Sequence, residues 1–589
     1  MAVENLITEH IDIWTSAEKT RSTSGRGSSK KLELYGVKKL RELILELAVR
    51  GKLVPQDPND EPASVLLERI AAEKAQLVKE NKIKKQTALP EVTEQEAPFN
   101  VPKGWEWTRL GNLSSDIHYG YTASAKPNSE GVRLLRITDI QNDKVNWETV
   151  PACDITEEKA KSYLLENDDI LIARTGGTIG KSYLVENIDL QAVFASYLIR
   201  VKRVQAVYAP FTKVFLGSQL YWKQLIENSA GTGQPNVNAT ALKQLLFIVP
   251  PFNQQKRIVA KVDELMALCD QLEQQTEASV EAHQVLVATL LDTLTNSADA
   301  DELMQNWARI SEHFDTLFTT EESIDQLKQT ILQLAVMGKL VPQDPSDEPA
   351  AELLKRIAEE KAQLVKEKKI KKQKALPPIA EDEKPFELPN GWEWCRVDDV
   401  VALKHGYAFK SSYFLESSGP YVLTTPGSFY ETGGFRDRGD RTKYYDGPLE
   451  VEFIFEANDL IIPLTEQAPG LLGSAAFIPE DGRTYLHNQR LAKLTPYHDA
   501  VRKDYIYWYF NSPYLRSELA RTCTGTTVRH SSPTKVQVTL FALPPTNEQK
   551  NIVERIDSLL SICQQLKARL NESQATQLHL TDAIVEQAV

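Results

Sequence analysis

A segment of 34 residues occurs twice in this chain. Leu53–Gln86 returns as Leu340–Gln373, 287 positions later, with 28 positions identical and no gap. The register continues into Pro102-Lys-Gly-Trp-Glu-Trp107 and Pro389-Asn-Gly-Trp-Glu-Trp394. A second pair, Leu246–Gln275 and Leu540–Arg569, comes after it at an offset of 294. Each half therefore runs from a repeated segment through a variable block to a second repeated segment, so the chain is two half-molecules with like ends and unlike middles.

At 589 residues the chain exceeds what a single hydrophobic core organises, and several domains are expected. Its 42% hydrophobic and 25% charged residues suit a soluble globular protein. No basic segment leads into an apolar run at the amino terminus, and no apolar stretch approaches about 18 residues, which predicts a cytoplasmic protein. The five cysteines are far apart and form no C-x-x-C pair, which argues against a zinc site or a disulfide framework. Cys269 and Cys563 fall at equivalent repeat positions, where buried packing is expected.

The net charge of −13 is unfavourable for meeting phosphates, but it is unevenly spread. Gly104 to Pro250 holds 15 basic against 15 acidic residues, and Gly391 to Pro545 holds 16 against 18. The excess of negative charge lies in the repeated segments, which suits contact with protein or solvent. Near-neutral blocks with local basic clusters can still meet nucleic acid. Arg502, Lys503, Arg516, Arg521, Arg529 and Lys535 form one such cluster, for which a solvated surface is an equal alternative.

Residues 1–36 contain one short helical stretch and then a Ser/Gly/basic run, read as a flexible arm. Over 37–103, Leu40, Leu43, Ile44 and Leu47 recur at helical spacing and Gly51 stops the helix. Asp60-Glu-Pro62 is expected to cap a second helix running to about Lys85. The variable blocks span 104–252 and 391–545. Each closes on a double proline, Pro250-Pro251 or Pro544-Pro545, that ends a strand and opens a long helix. The first long helix begins the section 253–390, which also carries the second helical repeat, and the other fills 546–589.

Ile258, Val262, Leu265, Cys269 and Leu272 step by four and three, as do Ile552, Ile556, Leu559, Cys563 and Leu566; this is a coiled-coil seam. The natural mate of each seam is the equivalent helix of the other half. Repeated halves related by a pseudo-two-fold axis make that pair antiparallel and set the variable blocks at opposite ends. The expected class is α+β, with two mixed α/β domains separated by an antiparallel coiled coil. Duplex DNA has two-fold backbone symmetry, so such a chain could lay two readers on one face of it.

In the first block, Val132-Arg-Leu-Leu-Arg-Ile-Thr-Asp-Ile140 precedes Leu165-Glu-Asn-Asp-Asp-Ile-Leu-Ile-Ala-Arg-Thr-Gly-Gly-Thr-Ile-Gly-Lys181, and Gly233-Gln-Pro-Asn-Val-Asn238 closes it. In the second, Lys404-His-Gly-Tyr-Ala-Phe-Lys410, Glu456-Ala-Asn-Asp-Leu-Ile-Ile-Pro463 and Leu486-His-Asn-Gln-Arg-Leu491 take corresponding places. With the Gly-Trp-Glu-Trp openings and the duplicated order, the whole chain resembles the specificity subunit of type I restriction-modification enzymes, and in particular the enterobacterial type IB, EcoA-like group. The resemblance implies that each block is a target recognition domain reading one half of a bipartite double-stranded DNA site. It further implies that the helices set the spacer and dock two methyltransferase subunits, to which two restriction/translocase subunits are added. This chain would be non-catalytic. It would bind no cofactor, S-adenosylmethionine, ATP and magnesium belonging to its partners. The alternative class is a coiled-coil scaffold whose globular domains bind protein or carbohydrate.

The halves differ where the Ala-Arg-Thr-Gly string stands: the second block has Pro463-Leu-Thr-Glu, without Arg174 or Lys181, so different half-sites are expected. Gly176-Gly-Thr-Ile-Gly-Lys-Ser182 mimics a phosphate-binding loop, but it lacks the first glycine and leads into a strand-like run. Arg, Lys, Asn and Gln match base edges, and aromatic residues flank them. The first block's candidates for DNA contact are Tyr119, Tyr121, Lys126, Arg174, Thr175, Lys181, Gln234, Asn236 and Asn238. The second block's are Tyr407, Lys410, Arg436, Arg438, Arg441, Gln489, Arg490, Arg529 and His530. Trp105, Trp107, Trp392 and Trp394 are expected in the core.

Overall fold

A computed structural model describes residues 3–22, 30–126, 131–228, 237–298, 300–371, 376–523 and 529–589. The chain divides into two compact units, Met1–Ser279 with Ser573–Val589, and Val280–Glu572.

The first unit opens with helices α1 (Val3–Glu9) and α2 (Ile11–Ser16), then a hairpin of β1 (Glu18–Ser22) and β2 (Lys30–Leu34). The flexible arm expected over 1–36 does not hold for its described part. Ile7, Trp14 and Ala17 are buried, and a Cβ on Gly36 would stand 2.3 Å from the Trp14 carbonyl, so the segment is packed against the start of α3 (Tyr35–Val49). Residues 23–29 lie outside the described residues.

Helix α3 buries the expected stripe of Leu40, Leu43, Ile44 and Leu47 and stops at Gly51, whose φ of 69° is open to glycine at little cost. Helix α4 (Ala63–Lys79) ends short of Lys85, because Asn81 turns left-handed at φ 57° and Lys82 donates its N–H back to Leu77. Asp60 does not cap it; that carboxylate pairs with Arg257 at 2.5 Å.

The first variable block is closed at its base by β3 (Glu106–Arg109), which begins within the Gly-Trp-Glu-Trp motif and pairs antiparallel with a later strand, Leu246–Val249. Between them lie β4 (Ser114–Tyr119), β5 (Arg133–Leu135), β6 (Ile170–Ala173), β7 (Ser182–Leu184), β8 (Ala192–Phe194) and β9 (Leu198–Arg203), which make Leu246–Val249 strand β10. An antiparallel sheet has the order β4-β9-β6-β7, and β5 and β8 pair in parallel beside it. The glycine-rich string leads directly into strand β7 and not into a helix, as its sequence suggested. After Pro250-Pro251 the long helix α5 (Phe252–Thr295) begins, and the Gln255 side chain donates to the Pro250 carbonyl at 2.8 Å.

In the second unit α6 (Ala300–Glu312), His313 and α7 (Phe314–Leu317) repeat α1, His10 and α2. The two histidines share nearly the same backbone, φ −121° and ψ 22° against φ −118° and ψ 18°. Glu9-His-Ile-Asp12 faces Glu312-His-Phe-Asp315 in sequence. The duplication thus begins earlier than the sequence alone disclosed, interrupted in the first half by the β1–β2 hairpin. Helices α8 (Glu321–Val336) and α9 (Ala350–Lys366) repeat α3 and α4, down to the left-handed residue, Lys368, after α9.

The second block repeats the first. Its base is β11 (Glu393–Arg396) with the returning strand Leu540–Leu543. Strands β12 (Val401–His405), β13 (Tyr421–Leu423), β14 (Leu460–Pro463), β15 (Ala476–Phe477), β16 (Tyr485–Leu486) and β17 (Leu491–Pro496) precede that β18. The sheet order β12-β17-β14-β15 matches β4-β9-β6-β7, and β13 pairs in parallel with β16. Helix α10 (Thr546–Ala588) then starts after Pro544-Pro545, and Gln549 donates to the Pro544 carbonyl at 3.1 Å.

All ten seam residues are buried, Cys269 and Cys563 fully. In the first unit Ile258 to Leu272 share a core with α3 and with Ile584, Val585 and Ala588 from the end of α10. In the second, Ile552 to Leu566 share theirs with α8 and with Val287, Leu291 and Leu294 from the end of α5. The start of one long helix thus shares a core with the end of the other, the antiparallel arrangement expected of the fold. Each named seam meets the far end of the opposite long helix, the mate expected of it, together with a repeat helix. Arg41 of α3 bridges to Asp270 and Glu273 of α5, each at 2.7 Å. Trp105 and Trp392 are buried, and Trp107 and Trp394 are half-buried against Phe99 and Phe386.

Candidate nucleic-acid interface

Strand β4 ends at Tyr119, and Gly120 then passes so close to β8 that a Cβ there would stand 2.2 Å from the Phe194 carbonyl oxygen. Only glycine allows the approach. It brings four chain segments to one edge of the sheet through a short series of backbone bonds. Tyr121 donates to Phe194 at 2.7 Å, and Ser196 donates back to Tyr121 at 3.1 Å. Arg174, at the end of β6, donates to Tyr197 at 3.1 Å, and Val237 donates to Arg174 at 3.0 Å.

The second block makes the same bonds. Gly406 would place a Cβ 2.2 Å from the Asn488 oxygen. Tyr407 donates to His487 at 2.9 Å, Gln489 to Tyr407 at 2.9 Å, Leu464 to Arg490 at 2.8 Å and Ser531 to Leu464 at 3.0 Å. These bonds align positions 120, 121, 174, 196, 197 and 237 with 406, 407, 464, 489, 490 and 531.

A polar framework under this edge holds it. Arg200 on β9 is buried; it pairs with Asp169 at 3.3 Å, approaches His118 Nε2 at 3.2 Å and lies over the Phe194 ring. Asp169 also accepts the Glu166 N–H, the turn entering a strand that the Asp168-Asp169 pair suggested. The second block substitutes Lys493 with Asp459 at 2.6 Å and repeats the turn through Glu456.

Of the first block's candidates, Tyr119, Tyr121 and Arg174 meet at this edge. The Arg174 guanidinium lies 4.6 Å above the Tyr119 ring and reaches the Ser196 carbonyl at 3.4 Å. The Tyr119 hydroxyl accepts the Ala239 N–H at 3.2 Å. Tyr121 packs against Tyr163. Thr175 and the exposed Lys181 flank the turn Gly176–Thr178. Asn238 reaches the same edge, but its side chain accepts from Ala241 and caps the helix Ala239–Gln244, which is a structural duty. Lys126 is bridged to Asp154 and makes none of the contacts that join the others. Gln234 and Asn236 lie outside the described residues.

In the second block Tyr407, Gln489, Arg490, Arg529 and His530 meet around Leu464. Gln489 and Arg490 are exposed at the turn between β16 and β17. Arg529 pairs with Glu466 at 3.0 Å, and His530 lies across from Thr465. Arg436 stacks on Tyr430 and pairs with Glu431 at 2.7 Å, while Arg438 donates to Thr425 at 3.3 Å. Arg441 and Lys410 are exposed at short turns of their own. Much of the basic cluster noted in the sequence is used internally: Arg502 pairs with Asp504, Arg521 with Glu518, Arg516 donates to the Glu431 carbonyl and Lys535 to that of Thr522.

Sequence reasoning missed Ser196 and Tyr197. Tyr197 is 62% exposed between two buried strands, and its signal was a Ser-Tyr pair interrupting the apolar run Val193-Phe-Ala-Ser-Tyr-Leu198. It also missed His487, which is buried against Phe455 beside the Gln489–Arg490 turn. Burial lowers its pKa from the ordinary 6.5 to about 4. The unfolded chain then binds the proton more tightly than the folded one, so this contribution is complete above about pH 6.5 and is lost as pH falls toward 4. The loss should reach about 3 kcal/mol. Denaturant titrations of the second unit at pH 7 and pH 4.5 should show it, and His487→Phe should flatten the difference; an equal slope in that variant would place the effect elsewhere.

No helix among the described residues is long and apolar enough to cross a membrane, and no cluster among them has the ligands for a metal ion. The model of the type I restriction modification DNA specificity domain matches residues 102–282 and 389–573. The chain is 43% identical to the EcoAI specificity subunit of Escherichia coli and 39% identical to the EcoEI specificity subunit of the same species, in both cases over the full length of both chains. It is also similar to the crystal structure of the HsdS subunit from Thermoanaerobacter tengcongensis, at 19% identity and a TM-score of 0.42, covering 83% of this chain and 98% of that one.

Proposed function

Because the chain belongs to the type I restriction-modification DNA specificity family, we propose that its two blocks each read one half of a bipartite double-stranded DNA site. The first reader uses residues 104–252 and the second 391–545. The long helices fix the number of unread base pairs between them and dock two methyltransferase subunits, to which two restriction/translocase subunits are added. Adenine methylation or cleavage is then carried out in the cytoplasm by those partners, with S-adenosylmethionine, ATP and magnesium bound on them and not on this chain.

One observation carries this reading: the same backbone bonds frame both edges while the side chains they present differ, Arg174, Ser196 and Tyr197 against Leu464, Gln489 and Arg490. A shared frame with different side chains is what two half-sites require, since phosphate contacts position and base contacts specify. The tyrosines offer aromatic faces beside the guanidinium donors that match guanine edges.

The test is duplex binding by the chain with and without its methyltransferase subunits across a salt series. We expect salt-dependent binding that discriminates between sequences and sharpens when the methyltransferase is present. Indifference to duplex sequence under both conditions would contradict the proposal and favour a protein- or carbohydrate-binding scaffold.

A further inference from the structure

We propose that positions 197 and 490 are the same specificity-determining position in the two readers, occupied by Tyr197 in one and Arg490 in the other. The inference rests on the reading that the blocks recognise DNA, and adds to it a residue pair matched by backbone hydrogen bonds. The equivalence is carried by the backbone. Leu198 donates to Ala195 at 2.9 Å and Leu491 to Asn488 at 3.0 Å, closing the same turn. The carbonyls of Tyr197 and Arg490 accept from Arg174 and Leu464, the residues that leave the ends of β6 and β14.

The frame leaves both side chains outside. Tyr197 is 62% exposed, and Arg490 is exposed with no ion pair among the described residues. Much of the Tyr197 ring lies open at the tip of a turn that backbone hydrogen bonds hold closed, so the packing beneath depends little on it. Its neighbours differ in a complementary way. In the first block the guanidinium comes from position 174, laid on Tyr119, and the aromatic ring from position 197. In the second, position 174 is matched by Leu464, and the guanidinium moves to position 490. Of this neighbouring pair of positions each edge thus presents one guanidinium, from opposite members; Arg529, which also reaches the second edge, is paired with Glu466. Arginine recognises guanine through its O6 and N7, whereas a tyrosine ring packs on a thymine methyl or a base face. We expect the base met by Arg490 to be guanine, and the base met by Tyr197 to be chosen by apolar contact.

Reciprocal substitution tests this. Tyr197→Arg, Tyr197→Ala and Arg490→Ala are each combined with the cognate methyltransferase, and methylated sites are mapped across a genome. Both side chains are exposed and, among the described residues, make no hydrogen bond or ion pair, so the variants should match the parent in thermal unfolding. Arg490→Ala should relax one base position in one half-site, lowering discrimination there by roughly 5- to 150-fold, and leave the other half unchanged. Tyr197→Arg should shift one position of the other half-site toward guanine, and Tyr197→Ala should relax that same position. Exchange of the whole block 104–250 is the control. If that exchange changes half of the motif while all three point variants leave it intact, the residue assignment is wrong and the DNA reading stands. If the exchange also changes nothing, the reading beneath it fails.

Discussion

An Asp169→Ala chain should lose about 3–5 kcal/mol of stability in its first unit. The Arg200 side chain is only 4% exposed, and Asp169 is its carboxylate partner. Its other contacts are the Leu164 and Ser162 carbonyls at 2.5 and 3.2 Å and the His118 ring. Removing the carboxylate leaves a cation in a site water cannot reach, and also frees the Glu166 N–H that Asp169 accepts. The second block supplies an internal comparison. Lys493, which replaces Arg200, is 25% exposed and can turn its ammonium into water. Asp459→Ala should therefore cost clearly less than Asp169→Ala. Hydrogen exchange of the β6 and β14 segments under mild urea measures the two losses separately. Equal losses would show that burial of the cation is not what distinguishes them.

Gly120→Ala and Gly406→Ala should each abolish one reader. The added methyl would stand 2.2 Å from a backbone carbonyl oxygen in both cases, a contact no rotamer change relieves. The β4–β8 or β12–β16 junction must open, and the bonds that place Arg174 with Tyr197, or Leu464 with Arg490, open with it. Overpacking against backbone costs about 1–3 kcal/mol or more, enough to displace an edge built from a handful of hydrogen bonds without unfolding the sheet below. With the methyltransferase present, Gly120→Ala should lose sequence dependence in one half-site and Gly406→Ala in the other. Duplex libraries randomised in one half at a time give the readout. If both variants kept full discrimination, the glycine approach would be incidental to recognition.

Much of the architecture is legible in the order of the residues. The 34-residue repeat specified α4 and α9, which have the same length and the same left-handed stop, because nearly identical sequences in like surroundings fold alike. The prolines ended the base strands, since proline supplies no N–H to a ladder. The opposite long helix was the mate expected of each seam, but periodicity could not show that a repeat helix shares the same face. A four-three spacing says which face of a helix is buried, and α3 and α8 occupy that face along with the opposite long helix. The repeat of α1 and α2 was hidden because little more than Glu-His-x-Asp survives and a hairpin separates it from α3.

The edge proposed to read DNA was legible in part. Arg174, Tyr119, Tyr407, Gln489 and Arg490 were chosen for their chemistry, and the fold gathers them into two clusters. Asn238 and much of the Arg502–Lys535 cluster had the right chemistry but serve as caps and internal ion pairs, and composition cannot separate these uses. Tyr197 was passed over because its equivalence to Arg490 lies in hydrogen bonds between strands, a relation that side-chain similarity does not record.

The central claim is that one duplicated frame carries two independent readers, and methylation mapping with a single exchanged block tests it most directly. Residues 104–250 would be replaced by the corresponding block of a relative with a different specificity, and methylated adenines mapped in cells that also carry the cognate methyltransferase. A new sequence is expected in one half of the motif, with the other half and the number of unspecified base pairs unchanged. Alteration of both halves, or of the spacing between them, would contradict it.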